Sequence, residues 1–304
     1  MKNLFKILII ILLIIIGVHF YEIFSNQKPI IVLATTTSIY DSGLLDYLLP
    51  IFENKYNFRI HVISVGTGQA IEIAKRGDVD LIIVHSKELE LDFINSGYGI
   101  HRVALMYNDF VIVGPLNDPA EIGKSINAIE AFYRISEAGA KGNTRFISRA
   151  DKSGTNLLEL ELWKKIGIIP SSKNQSWYLE ANAGMGAVLR MANEKEAYTI
   201  TDRATWLSYK DQLKNLKILV ENDNILLNPY SIILVNPEKF PQRNYKGAIQ
   251  LAKWMLSEEG QSFIANFRKK DEILFKPIAL DFDRARELGY LNQEEEIAWY
   301  KAQK

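Results

Sequence analysis

Twice along this chain a strand-like apolar run gives way to a cluster of hydroxyl side chains and then to a helical pattern. Pro29-Ile30-Ile31-Val32-Leu33-Ala34 leads into Thr35-Thr36-Thr37-Ser38 and on to Leu44, Leu45, Leu48 and Phe52. Arg145-Phe146-Ile147 leads into Ser148-Arg149-Ala150-Asp151-Lys152-Ser153-Gly154-Thr155 and on to Leu157, Leu158, Leu160, Leu162 and Trp163. A helix start presents free backbone N–H groups and the positive end of the macrodipole, so each handover suits a tetrahedral anion. Two such cradles, far apart in sequence, point to one ligand gripped between two lobes.

Composition agrees. The chain has 304 residues, 48% of them apolar, enough for two lobes with real cores. Lys plus Arg and Asp plus Glu each total 36, so no global field exists to attract nucleic acid or an anionic membrane surface. Any anion must be caught by local geometry. The absence of cysteine removes thiol catalysis, Cys-based zinc sites, disulfides and a lipoprotein anchor. At the N-terminus Lys2 and Lys6 precede an apolar stretch from Ile7 to Phe20, the pattern of a signal-peptide core. No Ala-x-Ala cleavage site follows, which leaves open a signal peptide or a retained membrane tether over residues 1–26. Either way the body from about Pro29 is expected outside the cytoplasm, periplasmic or otherwise exported.

Strand and helix patterns alternate through the body. Arg59 to Val65 predicts a strand, Gly66-Thr67-Gly68 a turn and Gln69 to Lys75 a helix; Asp80 to Val84 predicts a buried strand ending at His85-Ser86. This α/β order implies mostly parallel sheets flanked by helices, with ligand outside the carboxyl ends of the strands.

These segments resemble the tungstate-binding substrate-binding proteins of ABC transporters, related to molybdate and phosphate binders of the same clamshell class. The resemblance is carried, in order, by Ala34-Thr35-Thr36-Thr37-Ser38, Val65-Gly66-Thr67-Gly68, Val84-His85-Ser86, Met106 to Pro115, Ser148 to Thr155, Gly184-Met185-Gly186 and Tyr198-Thr199-Ile200-Thr201-Asp202-Arg203. The family usually has Gly where Ala150 stands, often His at Asn156, and Gly at Ala204. The first departure adds a methyl at what would be a glycine-dependent turn.

The resemblance implies a two-lobed periplasmic binding protein fold of type II, with residues 29–108 plus 229–304 as one lobe and 109–228 as the other. The runs Asp109 to Gly114 and Asn228 to Val235 suit the two crossings. It also implies an exported binder that hands tungstate or molybdate to a membrane permease, as a monomer, without cofactor or bare metal ion. The expected ligand-binding residues are Thr35, Thr36, Thr37, Ser38, Gly66, Thr67, Arg149, Ser153, Gly154, Thr155, Gly184, Met185 and Gly186.

Each has a plainer explanation. One hydroxyl caps a helix, but four in a row exceed that need. Arg149 offers a permanently charged fork for an oxyanion, or it pairs with Asp151 alone. Gly66-Thr67-Gly68 lacks the lysine of nucleotide loops and suits a cleft wall. His85 ends a strand at the crevice side, where a hydrogen-bonded structural histidine is the commoner fate. Asp202-Arg203 suits a hinge-side ion pair. No Gly-x-Ser-x-Gly elbow or histidine triad supports catalysis, so a phosphate-handling enzyme or a sensor on this fold is the distant alternative to a binder. Tungstate and molybdate need donors only, whereas phosphate near neutrality also wants a carboxylate acceptor. Asp151 is expected to be engaged by Arg149 or by backbone N–H groups, leaving a donor-only site, and the resemblance then implies tungstate first and molybdate second.

Overall fold

A computed structural model describes residues 28–151 and 153–303; the N-terminal segment over 1–26 and Lys152 lie outside them. The β-branched run Ile30–Thr36 forms β1, followed by α1 (Thr37–Ser42) and α2 (Leu44–Tyr56). The expected single helix is thus two, joined at Gly43, whose φ of 84° is a left-handed conformation that costs glycine nothing. Then come β2 (Arg59–Val65), α3 (Thr67–Lys75), β3 (Leu81–Val84) and α4 (Lys87–Asn95). The chain leaves this region along β4 (Gly99–Pro115), a strand of 17 residues.

Beyond it lie α5 (Ala128–Ala140), β5 (Phe146–Ser148), α6 (Gly154–Lys165), β6 (Tyr178–Glu180), α7 (Met185–Lys195), β7 (Thr199–Asp202), α8 (Arg203–Tyr209) and β8 (Leu216–Val220). The return strand is β9 (Leu227–Val235). Helices α9 (Tyr245–Leu256) and α10 (Glu258–Asn266) follow, then short strands β10 to β12 and the helices α11 (Phe282–Glu287) and α12 (Gln293–Ala302). No helix among the described residues is long and apolar enough to cross a membrane.

Strands β2, β1 and β3 are parallel neighbours, as the alternating pattern predicts, and β5 pairs in parallel with β6. The sheets are nevertheless mixed, because β9 runs antiparallel to both β3 and β4. A chain that crosses out along one strand and returns beside it must pair antiparallel. Up to Asp109, β4 bonds to β9; from Phe110 onward it bonds to β7 and β8 instead. One continuous strand therefore belongs to both sheets. At the changeover Arg203 clasps Asp109 through two hydrogen bonds of 2.6 Å and also reaches Glu221 at 2.7 Å. The ion pair expected near Asp202-Arg203 exists, but between Arg203 and the crossing strand; Asp202 caps α8 by accepting from Thr205.

Each sheet buries both faces through the two-residue alternation of its strands. Leu33, Ile83 and Leu234 pack with Leu48, Phe52 and Trp254 on one side, while Ala34, Ile82 and Ile233 pack with Ala70 and Phe93 on the other. In the second lobe Ile112 and Phe146 meet Phe132, Trp163 and Tyr178, and Ile147 faces the layer of Met185 and Leu189. This double covering directs the carboxyl ends of β1, β2, β3 and β5 toward one cleft.

Candidate functional site

The cleft has a volume of about 580 Å³ and is walled from both lobes. Four helices begin along it or beside it, at Thr36, Gly66, Ser86 and Gly184, and none of these starts has a side-chain cap. Two further starts at the cleft, α6 and α8, are capped by Ser153 and Asp202, as α5, α9, α10 and α11 are by Asn127, Asn244, Ser257 and Asp281. Caps satisfy orphan N–H groups, so the uncapped starts are the ones that leave backbone donors available at the cleft.

On the first lobe Thr36, Thr37 and Ser38 line the cleft with Gly66, Thr67 and Gly68. No atom lies within 4 Å of where a Cβ on Gly66 or Gly68 would stand, so these glycines keep the wall open. The Thr36 hydroxyl lies 3.0 Å from Ser38 Oγ, and Ser38 Oγ lies 3.1 Å from the Tyr230 hydroxyl. Tyr230 accepts from Asn228 Nδ2 at 3.2 Å and from Asn108 Nδ2 at 3.5 Å. Its single hydrogen is thereby directed to Ser38. Thr36 and Ser38 then share one hydrogen bond between them, and one hydroxyl hydrogen is left over to face the cleft. Burial pushes the Tyr230 phenol well above its ordinary range, so it remains a donor.

Thr35 does not join this wall. It points into the sheet, where its buried hydroxyl donates to the Ile83 carbonyl at 2.8 Å. Because side chains alternate along β1, Thr35 and Thr36 cannot both face the cleft.

On the second lobe Arg149, Ser153, Gly154 and Thr155 line the cleft. Arg149 lies against Asp151, with Nε at 3.0 Å and Nη2 at 2.5 Å from the same carboxylate oxygen. The other oxygen accepts the Ser153 N–H at 3.1 Å. Burial works to raise the Asp151 carboxyl, but bonds from Ser153 and Arg149 outweigh it and the group titrates below its ordinary value. Both its oxygens are thus in use, as expected of a donor-only site. Ser153 caps α6 by accepting the Asn156 N–H at 3.4 Å, and its hydroxyl also bonds to the Asp151 carboxylate.

Beneath this wall lies a buried carboxylate that the sequence hid. Glu159, 1% exposed, accepts from Ser148 Oγ at 2.6 Å, Tyr178 at 2.7 Å, Trp163 at 3.0 Å and Asn156 at 3.3 Å. Ser148 Oγ in turn accepts the Ala150 N–H at 3.1 Å. Ala150 has φ of 53°, a left-handed conformation unfavourable for a residue with a Cβ. The turn that presents Arg149 is therefore strained at the residue expected to need glycine, and it is anchored through Ser148 to Glu159.

Met185 and Gly186 line an adjoining cavity of about 450 Å³ together with Thr37, Ser38 and Arg149, and Gly184 precedes them as the helix cap. The third helix start thus faces the same residues from the side. Among the described residues no cluster of His, Asp and Glu could hold a metal ion.

The residues lining the cleft that were not among the expected contacts include Phe110, Asn228 and Tyr230 on the crossing strands, and Asp202. His85 lines it as well; its Nδ1 is 2.9 Å from Asn228 Oδ1, and burial lowers its pKa to about 4 against the opposing effect of that bond. Polar Asn228 and Tyr230 within an otherwise apolar run were the available signal.

A two-lobed α/β protein with a donor-lined cleft at the strand ends belongs among the ligand-binding clamshells. The PBP superfamily domain matches residues 25–259, and the chain belongs to that family. Within it, the tungstate-binding protein TupA of Peptoclostridium acidaminophilum is 46% identical over 248 residues, covering 81% of this chain and 84% of that protein. The solved structure of the tungstate-binding protein TupA from Desulfovibrio alaskensis G20 has 40% identity and a TM-score of 0.76, over 82% of this chain and 98% of the other. That of the tungstate ABC transporter from Geobacter sulfurreducens has 47% identity and a TM-score of 0.67, over 78% and 98%.

Proposed function

We propose that this protein captures a tetrahedral oxyanion, tungstate first and molybdate second, between its lobes and delivers it to an ABC permease. The observation that carries this is the composition of the cleft: uncapped helix starts and spare hydroxyl hydrogens on one wall, and a guanidinium on the other. Asp202 in its lining and Asp151 beside Arg149 are both already bonded to protein donors. Such a site rewards an anion that only accepts hydrogen bonds. The names of the relatives support the same ligand.

We infer that the two lobes close on the ligand by a hinge motion. We assign residues 29–108 and 229–304 to one moving body and 109–228 to the other, pivoting where β4 and β9 change sheets. The protein acts as an exported monomer and performs no catalysis. Titration calorimetry with tungstate, molybdate, sulfate and phosphate tests the reading. Tungstate and molybdate should bind tightly and raise the melting temperature, since a ligand of the native state stabilises it by mass action. Absence of binding by both would overturn it.

A further inference from the structure

Asn228 settles the state of His85. Its Nδ2 donates to Asn108 Oδ1 at 2.8 Å and to the Tyr230 hydroxyl at 3.2 Å, which uses both amide hydrogens and turns Oδ1 toward the imidazole. An amide oxygen only accepts, so His85 Nδ1 carries the hydrogen. In the neutral ring Nε2 is then a bare lone pair, and no described residue bonds to it. The ring stands on the first lobe, yet its Cε1 comes within 3.4 Å of where a Cβ on Gly154 of the second lobe would lie. His85 therefore sits at the floor of the cleft, where the two lobes approach each other beside the crossing strands.

An unprotonated acceptor in a donor-lined anion site is a contradiction that the ligand itself can resolve. We propose that oxyanion capture is coupled to a proton: His85 Nε2 takes one from solvent as the lobes enclose the anion, and the imidazolium then donates to it. The inference rests on the oxyanion reading above.

The surroundings of the ring permit this change. Arg149 and Asp202 share the cleft with it, each already bonded, and Tyr230 lies beneath with ring centres 4.7 Å apart. On the far side a cavity of about 240 Å³ brings Lys87, Arg102, Glu161 and Tyr290 near. Arg102 is held by buried Glu90 at 2.8 Å, and Lys165 pairs with Glu161 at 3.4 Å. Without ligand, then, burial keeps the ring neutral. A multiply charged anion against Nε2 reverses that balance, since a nearby opposite charge favours the charged form.

The sign follows. If the bound-state pKa lies above the free value, affinity rises as pH falls between the two, by up to tenfold per pH unit for one proton. Calorimetry of the full chain with tungstate, in buffers of different ionisation heat between pH 8 and pH 6, measures the protons taken up. The expected result is an uptake that grows toward one per anion as pH falls and is absent in His85→Gln. Nitrogen NMR of the wild-type imidazole, which needs no variant, should show His85 becoming imidazolium on adding tungstate. Tight binding with buffer-independent heat, the same uptake in His85→Gln, or a neutral His85 in the complex would each overturn the proposal while leaving the oxyanion reading intact. Failure of tungstate to bind at all would instead count against that reading.

Discussion

The two walls of the cleft are built from opposite materials. The first is neutral: Thr36, Ser38, Tyr230, Asn228 and Asn108 form a relay of hydroxyls and amides bonded to one another. The second is charged: Arg149 rests on Asp151 above a turn anchored by buried Glu159. A neutral relay gives direction without strong attraction, whereas a guanidinium gives attraction that Asp151 partly cancels until a stronger anion competes. The walls also differ in what stabilises them. The relay joins Thr36 and Ser38 to the two crossing strands through Tyr230, Asn228 and Asn108, whereas the charged wall hangs on α6 and β5 within one lobe.

The comparison breaks first at Glu159. Glu159→Ala removes the acceptor of the buried Ser148, Tyr178 and Trp163 donors and should cost the protein about 3–5 kcal/mol, read as a lower denaturation midpoint. A loss below 1 kcal/mol would mean that the second wall does not depend on its buried anchor. Next in size is Arg149→Ala. Loss of a charge-assisted contact to an enclosed anion should weaken tungstate binding by about 2–5 kcal/mol in a titration while the melting temperature of the free protein stays close to wild type. Binding within a few-fold of wild type would reduce Arg149 to the partner of Asp151.

On the neutral wall Tyr230→Phe removes the hydrogen directed at Ser38 and frees the relay to rearrange. Affinity should fall by only about 0.5–1.5 kcal/mol, so the two walls should differ clearly in the calorimeter. An effect equal to that of Arg149→Ala would erase the distinction. The smallest change is a gain: Ala150→Gly relieves the left-handed backbone and should raise stability by roughly 0.5–1 kcal/mol, offset in part by the greater freedom of the unfolded chain. A lower melting temperature would show that the turn tolerates its methyl without strain.

Much of this was legible in the sequence, for reasons that also explain what was not. Apolar runs and helix starts are local signals, so β1, β2, β3, α6 and both crossing strands could be read from residue pattern. That Thr36, Ser38, Gly66, Arg149 and Ser153 gather at one cleft was legible because capping and anion binding draw on the same residue types. Thr35 was over-read, since a run of hydroxyls does not reveal which of them the strand turns inward. Glu159 lies in Leu-Glu-Leu-Glu-Leu, which looks like a solvated helix face; only tertiary structure brings Ser148 and Tyr178 to it. Asn228 and Tyr230 gain their meaning from β4, more than a hundred residues away in the chain, and the antiparallel return that joins them to Asn108 is a property of topology.

The central claim is that both walls close on one anion, and small-angle scattering of the protein with and without saturating tungstate tests it most directly. Hinge closure should draw the lobes together and lower the radius of gyration on adding the anion. Superimposable curves, with binding shown in the same sample by calorimetry, would mean that the anion rests on one wall alone and would contradict the account.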